Sequence, residues 1–399
     1  MKKTLGLVAI AIALVASPAR ATNGMRMIGF GPVQNSMGGA SVAAPLDGAT
    51  AVSNPAGLAD LAPRVDVAGQ GFMPSVKYKA DWSMGAPPVT ASQSSDRPTD
   101  MLPTVAAVYK LQDRYTVGLA ALGTAGMGVD YAQGASGLFG GTRTMTSYVD
   151  GRVAPAVAYK VNDQISVGFA ANLMFAQMSY EAGGQLKHET ANSFGYGATV
   201  GVTYKPVEMV TFGAAYETKS YFQDFEFTAA GQTQAIDFDQ PMVATLGAAV
   251  RPVAGLLLAL DGQWINWSAT NGKDQPKFTK DAPPAGQGWN MNWSDQFVVK
   301  LDAEYQVPAL KALKVRTGYN YGKAPLDKDR GFENIAFPAI AEHHFTVGAG
   351  YDLGKLAVNA AFMYSPEATL KGAAPMSGLV SYETTMSQTA FELGAAYKF

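Results

Sequence analysis

Apolar residues alternate with small or polar residues along much of the chain from residue 65 onwards. In residues 165–176, 194–204 and 344–351, aromatic or aliphatic residues occupy every second position, and Gly, Ala, Ser or Thr occupy most of the others. Successive side chains of a β-strand point to opposite faces, so each run predicts a strand with one apolar face. A soluble sheet would carry Lys, Glu and Thr on its second face. The small residues found here favour a crowded barrel interior.

Similar sequences close many of these runs. They are AVYKL, VAYKV, GVTYKPV, AEYQV, GAGYDL and the C-terminal AAYKF, with AAVRPV as a variant that has Val in place of Tyr. A short polar or Pro-containing break follows each internal copy. We interpret the breaks as tight turns on one membrane face and the tyrosines as an aromatic girdle. Chance occurrence of tyrosine at strand ends is the alternative.

The connections between these turns are longer and polar. They fall at residues 80–101, 133–143, 183–189, 230–234, 271–290, 327–339 and 372–379. Six tight turns and seven long loops predict an all-β fold, a 14-stranded antiparallel transmembrane β-barrel. The predicted last strand, residues 381–399, ends on Phe399, which resembles the signal read by the outer-membrane assembly machinery.

Composition supports a membrane barrel. Charged residues make up 16% of the 399 residues, and the chain has 43 Gly, 18 Tyr and 19 Phe. The mean hydropathy is only +0.01, as expected when apolar and polar faces alternate. A net charge of -2 indicates no nucleic-acid partner. Because cysteine is absent, disulfides, thiolate metal sites and thiol nucleophiles are excluded, and no cofactor or metal is expected.

Residues 1–21 have the features of a secretory signal peptide. Lys2 and Lys3 precede an apolar run, and Ala19-Arg20-Ala21 forms a cleavage site, which predicts Thr22 as the mature N-terminus. The alternative is a membrane anchor, but the apolar run is shorter than the roughly 20 residues that a spanning helix needs. We therefore predict an exported protein of the bacterial outer membrane.

Residues 22–64 do not alternate, and they resemble the start of the FadL/TodX family of outer-membrane transporters for hydrophobic compounds. The matching residues are Phe30, Ser36, Gly38, Gly39, Ala40, Asp47 and Asn54-Pro55-Ala56-Gly57-Leu58. The segments 123–141, 261–269, 315–326 and 337–354 are similar to later parts of the family. The resemblance implies a monomeric barrel over residues 65–399, with residues 22–64 as a hatch, or plug, in its lumen.

The resemblance also implies a function: passive uptake of long-chain fatty acids or hydrocarbons, released sideways through a gap at a kinked third strand. The clustered Gly123, Gly126 and Gly128 predict that kink, because glycine weakens a strand and permits a bulge. A glycine-rich strand packed closely on the hatch is the alternative. Lateral release would keep the apolar ligand out of the lipopolysaccharide layer.

Candidate site residues fall into two further groups. Asn54, Pro55, Ala56, Phe30, Gly38 and Gly39 are candidates for the hatch and its gate, and Met25, Met27, Met37, Met127, Lys300 and Arg316 are candidates for the ligand pocket. The methionines have an alternative role in packing the plug. Strand parity points nine charged or titratable residues inwards, where a structural ion-pair network is the alternative to ligand binding. They are Asp150, Arg152, Asp261, Lys300, Asp302, Glu304, Arg316, His344 and Glu392.

Other functional classes have less support. The chain has three histidines and no evident nucleophile beside them, so we do not expect an enzyme. A general diffusion porin for small polar solutes is the main alternative, although a plug of about 40 residues disfavours an open lumen. A structural or adhesive barrel is a third hypothesis.

Overall fold

A computed structural model of the chain describes residues 23–83, 89–97, 99–131, 143–182, 186–229, 232–280, 290–372 and 379–399. The predicted signal peptide, Thr22 and nearly all of the predicted loop at 133–143 lie outside the described residues.

Fourteen antiparallel strands form a closed barrel, which confirms the predicted fold class. In chain order they are β1 (Arg64–Trp82), β2 (Asp100–Gln112), β3 (Tyr115–Tyr131), β4 (Thr144–Lys160), β5 (Ile165–Ala182), β6 (Leu186–Val207), β7 (Val210–Glu217), β8 (Val243–Val253), β9 (Leu256–Ile265), β10 (Gln296–Gln306), β11 (Leu313–Gly322), β12 (His343–Asp352), β13 (Leu356–Gly372) and β14 (Leu379–Lys398). Each strand pairs with its successor, and β14 pairs with β1 from Lys398↔Arg64 to Leu379↔Trp82.

The strands bury their polar side chains and expose their apolar ones, which is the reverse of a soluble protein. Along β10, Lys300, Asp302 and Glu304 are buried, whereas Phe297 and Leu301 are exposed. All nine residues that parity pointed inwards are buried. Apolar residues can face outwards in this way when the surroundings are lipid rather than water.

The strand ends carry the tyrosines that the sequence pattern indicated. Tyr109, Tyr204, Tyr305, Tyr351 and Tyr397 are exposed at the ends where tight turns join the strands, and Tyr159 is partly exposed. Phe399 is 69% exposed and its ring lies 5.3 Å from that of Tyr397. We call this side of the barrel the turn end and the opposite side the loop end.

The N-terminal segment, residues 23–63, lies within the ring of strands. It contains α1 (Gly31–Ser36), α2 (Thr50–Ser53) and a 3-10 helix at Pro55–Asp60. Its side chains and backbone form hydrogen bonds with residues on opposite sides of the barrel wall, among them Glu217 of β7 and Glu392 of β14. Among the described residues, no helix is long and apolar enough to span a membrane.

The loop end differs from the prediction in extent. The loop between β7 and β8 covers residues 218–242 rather than 230–234, because β7 is only 8 residues long. Its strands Phe225–Ala229 and Gln232–Ile236 form a small sheet with Phe278–Lys280 of the β9–β10 loop. Strand β6 begins at Leu186 inside a predicted loop, and β14 begins at Leu379 instead of Ser381. The remaining short elements are strands Val89–Ser94 and Tyr221–Phe222, α3 (Ser268–Asn271) and a 3-10 helix at Lys328–Arg330.

Candidate functional site

Asn54 fastens the N-terminal segment to the barrel wall. Its side-chain Nδ2 donates to the carbonyls of Val42 at 2.6 Å and Val202 of β6 at 3.2 Å. Its Oδ1 accepts from the Ala56 N–H at 3.2 Å and so caps the 3-10 helix that Pro55 opens. A β-carbon on Gly201 would lie 1.9 Å from that Oδ1, so a wall glycine makes the close approach possible. The Asn-Pro-Ala sequence therefore holds the segment in place.

Gly38 and Gly39 form a turn that rests on the opposite wall. Their φ angles are +54° and +87°, a region that residues with a β-carbon rarely adopt. The Gly38 N–H donates to Thr346 Oγ1 at 2.9 Å, and the Gly39 carbonyl accepts from Lys300 Nζ at 3.3 Å. The two glycines are thus needed for the backbone path that these contacts fix.

Two wall carboxylates bind the backbone that follows this turn. Asp302 Oδ2 accepts from the Ala40 N–H at 2.9 Å. Asp261 Oδ2 accepts from the N–H groups of Ser41 at 2.8 Å and Val42 at 3.0 Å. These three bonds hold the segment against β9 and β10.

Lys300 and Arg316 are both engaged in internal contacts. Lys300 Nζ donates to the carbonyl of Ile28 at 2.9 Å as well as to Gly39. Arg316 Nε donates to Glu304 at 2.7 Å, and its Nη1 donates to Asn359 at 3.0 Å. Their assignment to a ligand pocket stays a prediction, and these contacts favour the structural alternative.

A buried ion-pair triad connects the start of the segment to the wall. Arg26 donates to Glu217 Oε2 at 2.9 Å, and Arg152 of β4 donates to Glu217 Oε1 at 2.6 Å. Glu217 is 7% exposed and Arg152 is 1% exposed. Both guanidinium groups thus share the Glu217 carboxylate.

The third strand leaves the regular wall at a bulge. Its pairing with β2 ends at Leu122, and its register with β4 shifts between Gly123 and Ala125, which leaves Thr124 as the extra residue. From Ala120 onwards the side chains of both faces are mostly buried. The alternation of buried and exposed side chains is therefore lost beside the bulge, and the kink at the glycine cluster stays a prediction.

Residues Met25–Met27 occupy the edge of β3 that β2 has left. The Met27 N–H donates to the Thr124 carbonyl at 3.1 Å, and the Gly126 N–H donates to the Met25 carbonyl at 2.9 Å. Arg26 pairs with Ala125 as an antiparallel bridge. Further along β3, a β-carbon on Gly128 would lie 2.4 Å from Arg97 Nη1. Of the three kink glycines, Gly123 flanks the bulge, Gly126 pairs with the segment and Gly128 makes room for Arg97.

A large apolar cluster fills the loop end of the barrel, and we call it the upper apolar cluster. It includes Met25, Met27 and Ile28 of the segment, Phe72 and Tyr78 of β1, Met127 and Tyr131 of β3, Tyr148 of β4, Tyr382 and Met386 of β14, and Phe225, Phe238, Trp267, Met291, Trp293, Phe332, Phe337 and Ile340 of the loops. Phe30 packs between it and a second cluster below. Met37 belongs to a third cluster, with Val42 and Leu257.

The aromatic rings of this cluster meet in tilted or edge-on pairs. Trp267 and Trp293 lie 5.0 Å apart at 81°, and Tyr148 and Phe238 lie 4.6 Å apart at 54°. The sequence analysis did not select these residues because none of them belongs to the alternating runs at residues 165–176, 194–204 and 344–351. Their density of Trp and Phe was the available signal.

A small cavity of about 40 Å³ lies between the N-terminal segment and strands β6–β10. Met27, Ile28 and Val243 line it and also belong to the upper apolar cluster. Arg26, Glu217, Asp261 and Lys300 supply its polar lining. The cavity therefore joins the apolar region to the Arg26 side chain. Over the described ranges, no group of three or more His, Asp or Glu residues could hold a metal ion.

The acid–base state of Asp47 makes the N-terminal segment sensitive to pH. Burial, together with the neighbouring Asp66 carboxylate, raises the pKa of Asp47 to about 7, while Arg64, Arg316 and a hydrogen bond from Gln34 oppose the rise. A carboxyl whose pKa is higher in the folded than in the unfolded state loses stabilisation as the pH rises between the two values.

We therefore expect the amides of residues 31–53 to lose protection from hydrogen exchange between about pH 4 and pH 7. An Asp47→Asn variant should lose part of this dependence, whereas Asp113→Asn, in an exposed turn, should retain all of it. Hydrogen–deuterium exchange mass spectrometry, corrected for intrinsic rates, measures the difference. An identical pH profile in wild type and Asp47→Asn would contradict the assignment.

Comparison with known proteins identifies the family of this barrel. Residues 31–399 match the family described as "Outer membrane protein transport protein (OMPP1/FadL/TodX)". The chain belongs to this family. The FadL/TodX match thus runs from the first residue of α1 through the whole barrel to Phe399. No curated protein matches the chain.

Solved structures of FadL/TodX proteins share the fold. The toluene transporter TodX of P. putida is 18% identical, with a TM-score of 0.72 over 93% of this chain and 99% of that one. A Pseudomonas aeruginosa FadL homologue is 16% identical, with a TM-score of 0.73 over 94% and 100%. The Ralstonia pickettii toluene transporter TbuX is 20% identical, with a TM-score of 0.65 over 93% and 99%. At these identities, the likeness concerns the fold alone.

Proposed function

We propose that this FadL/TodX protein is a passive channel of the bacterial outer membrane that takes up long-chain fatty acids or hydrocarbons and releases them sideways into the bilayer. The observation that carries the proposal is the bulge at Thr124. Above it β3 no longer pairs with β2, and the freed strand edge is covered by residues 25–27 next to the bulge and by Ser95 and Asp96 at Asp130. A segment that can move away from this edge would open the wall.

The ligand path follows the surfaces that suit an apolar molecule. The ligand enters the upper apolar cluster from the loop end, where aromatic side chains and methionines exclude water. It then reaches Met25 and Met27, which cover the bulge. Leaving through the wall at this point keeps the apolar surface away from water on both sides of the membrane.

The N-terminal segment acts as the hatch in this proposal. Residues 22–64 would form one unit and residues 65–399 the barrel. The contacts of Asp261 and Asp302 with residues 40–42 support a hatch that stays in place, and movement is confined to its first residues. The protein would work as a monomer, with the barrel assembly machinery reading the strand that ends at Phe399.

Uptake and conductance together test the proposal. Cells that make the protein should take up radiolabelled dodecanoate or toluene faster than cells without it, and should gain no uptake of glucose. In planar bilayers, the wild type should lack a large stable conductance because the hatch fills the lumen. An Asp261→Asn, Asp302→Asn variant should conduct far more often, because it weakens three hydrogen bonds worth about 1.5–3 kcal/mol each.

Asp274→Asn, in an exposed part of the β9–β10 loop, is the matched control and should remain closed. Large, stable conductance of the wild type would contradict the hatch and favour a general diffusion porin. Unchanged uptake of the hydrophobic compounds after deletion of residues 25–60 would favour a structural or adhesive barrel.

A further inference from the structure

A lysine is buried inside the loop that joins β9 and β10. The Lys277 side chain is completely shielded from solvent, although lysine is almost never fully buried without an ionic partner. Its ammonium donates to the Thr270 carbonyl and lies 5.3 Å from the centre of the Phe238 ring. In the described part of the chain no carboxylate forms an ion pair with it, and the nearby Asp239 pairs instead with Lys219 at 2.8 Å.

This ammonium borders the upper apolar cluster. Phe238, beneath it, packs on Tyr148 at 4.6 Å and on Phe337 at 5.4 Å. An ammonium has three protons to donate, and the Thr270 carbonyl accepts one of them. A buried charge with so few partners is costly, and it is a candidate for binding a ligand.

A second polar side chain in the same turn lacks partners. Asn271, which follows Thr270, is completely buried, and neither its Oδ1 nor its Nδ2 has a hydrogen-bond partner among the described residues. Buried amides are rarely left unsatisfied in this way, so Asn271 has a donor and an acceptor available for a ligand.

A purely structural role explains Lys277 less well. The backbone already ties this turn to the neighbouring loop, because the Asp237 N–H donates to the Lys277 carbonyl at 2.9 Å. An apolar side chain of similar length would fill the same space beside Phe238 without a buried charge. The ammonium itself therefore requires an explanation.

We propose that Lys277 and Asn271 bind the anionic oxygen of an apolar ligand, a carboxylate or a phenolate, whose apolar body lies against Phe238 and Tyr148. The inference rests on the proposed uptake of hydrophobic molecules and narrows the class of ligand. A ring fits the tilted aromatic surroundings better than a chain, because aromatic rings favour offset and edge-on contacts.

The charged groups that face the ammonium are Asp237, Asp239 and Lys219. Burial lowers the pKa of Lys277 to about 8, although the two carboxylates oppose this change. The site is therefore cationic below about pH 8 and becomes neutral above it. The affinity for an anion should fall as the pH rises through this range, and the affinity for an uncharged ligand should not.

Calorimetric titration of the purified full-length protein in non-ionic detergent tests the site at pH 7. The ligands are two matched pairs, 4-butylbenzoate with 4-butylbenzyl alcohol and dodecanoate with dodecanol. Wild type should bind each anion more tightly than its alcohol. Lys277→Met should weaken anion binding about 10- to 100-fold and leave the alcohols unchanged. Lys273→Met, an exposed lysine of the same loop, should behave as wild type.

Unchanged anion affinity in Lys277→Met would overturn the inference, and so would a wild type that binds the alcohols as tightly as the anions. Binding of none of the four ligands would instead contradict the proposed function. If the anion binds more tightly than its alcohol by a larger factor in the benzoate pair, the preferred ligand has an aromatic ring. If the factor is larger in the dodecanoate pair, the preferred ligand has an alkyl chain. If Lys277→Met does not fold, a wild-type series from pH 6.5 to 9.5 decides, because a flat anion affinity would overturn the site.

Discussion

Oxidation of a Met27→Cys, Thr124→Cys variant should reduce hydrophobic uptake to the level of cells without the protein, and a reductant should restore it. The two residues face each other across the short pairing between the N-terminal segment and β3, where the Met27 N–H donates to the Thr124 carbonyl at 3.1 Å. A disulfide there would fix the segment over the bulge and keep the wall closed.

The geometry of this pair suits a disulfide. Residues that face each other in an antiparallel ladder have Cα atoms about 4.5–5.5 Å apart, within the range that a disulfide spans. The chain has no cysteine of its own, so the introduced bond has no competing thiols. Uptake of labelled dodecanoate or toluene by whole cells, with and without reductant, provides the measurement.

A second disulfide controls for the crosslink itself. Val105 of β2 and Ala121 of β3 are paired below the bulge, where the wall stays intact. Joining them should leave uptake unchanged, as should each single cysteine variant. Undiminished uptake by a fully oxidised Met27–Thr124 pair would show that the ligand leaves by another path.

Replacing Glu217 with alanine should destabilise the protein more than any exposed substitution. The change leaves Arg26 and Arg152 buried without their shared carboxylate, and Nε and Nη1 of Arg152 already lack partners among the described residues. Removing one partner of a buried ion pair lowers the free energy of unfolding by about 3–5 kcal/mol. Urea unfolding followed by tryptophan fluorescence measures the loss in free energy of unfolding.

Two further variants test whether the loss of stability comes from the unpaired buried arginines. Glu208→Ala, at an exposed turn, should change the free energy of unfolding by no more than about 0.5 kcal/mol. Adding Arg26→Met and Arg152→Met to Glu217→Ala should recover part of the stability, since no unpaired charge then remains in the triad. A loss below about 1 kcal/mol for Glu217→Ala would mean that water reaches the two guanidinium groups.

The barrel could be predicted from the sequence because its signal is local. A period of two places Lys300, Asp302 and Glu304 on one face and Val299 and Leu301 on the other, whatever the neighbouring strands are. The tight turns are also short-range features, so the strand count followed. Loop boundaries depended on where neighbouring strands stop pairing, and the β7–β8 loop was consequently underestimated.

The residue at which β3 bulges could not be predicted from the sequence of that strand alone. Gly123, Gly126 and Gly128 predicted a kink, and the extra residue of the nearby bulge is Thr124, because a bulge is defined by the register against β4. Likewise, no sequence pattern indicated that residues 25–27 would occupy the vacated edge. That contact joins positions about 100 residues apart and depends on the complete barrel.

The residues that contact the ligand were the hardest to predict from the sequence. Lys300 and Arg316 were chosen for their charge and inward direction, yet the backbone of the N-terminal segment and Glu304 engage them. The aromatic lining comes instead from loop residues such as Phe238, Trp267 and Trp293. These residues have no periodic pattern, so only the folded loops bring them together.

The bonds of residues 35–40 to wall side chains also set an order of events during biogenesis. Asn35 donates a hydrogen bond to Glu392 of β14. The Gly38 N–H donates to Thr346 of β12, and the Ala40 N–H donates to Asp302 of β10. Each partner belongs to the last third of the chain, so this stretch has nothing to fold against until those strands are in place. Residues 35–40 are synthesised before all fourteen strands of the barrel, yet they take their structure last, after the final strand has closed the ring.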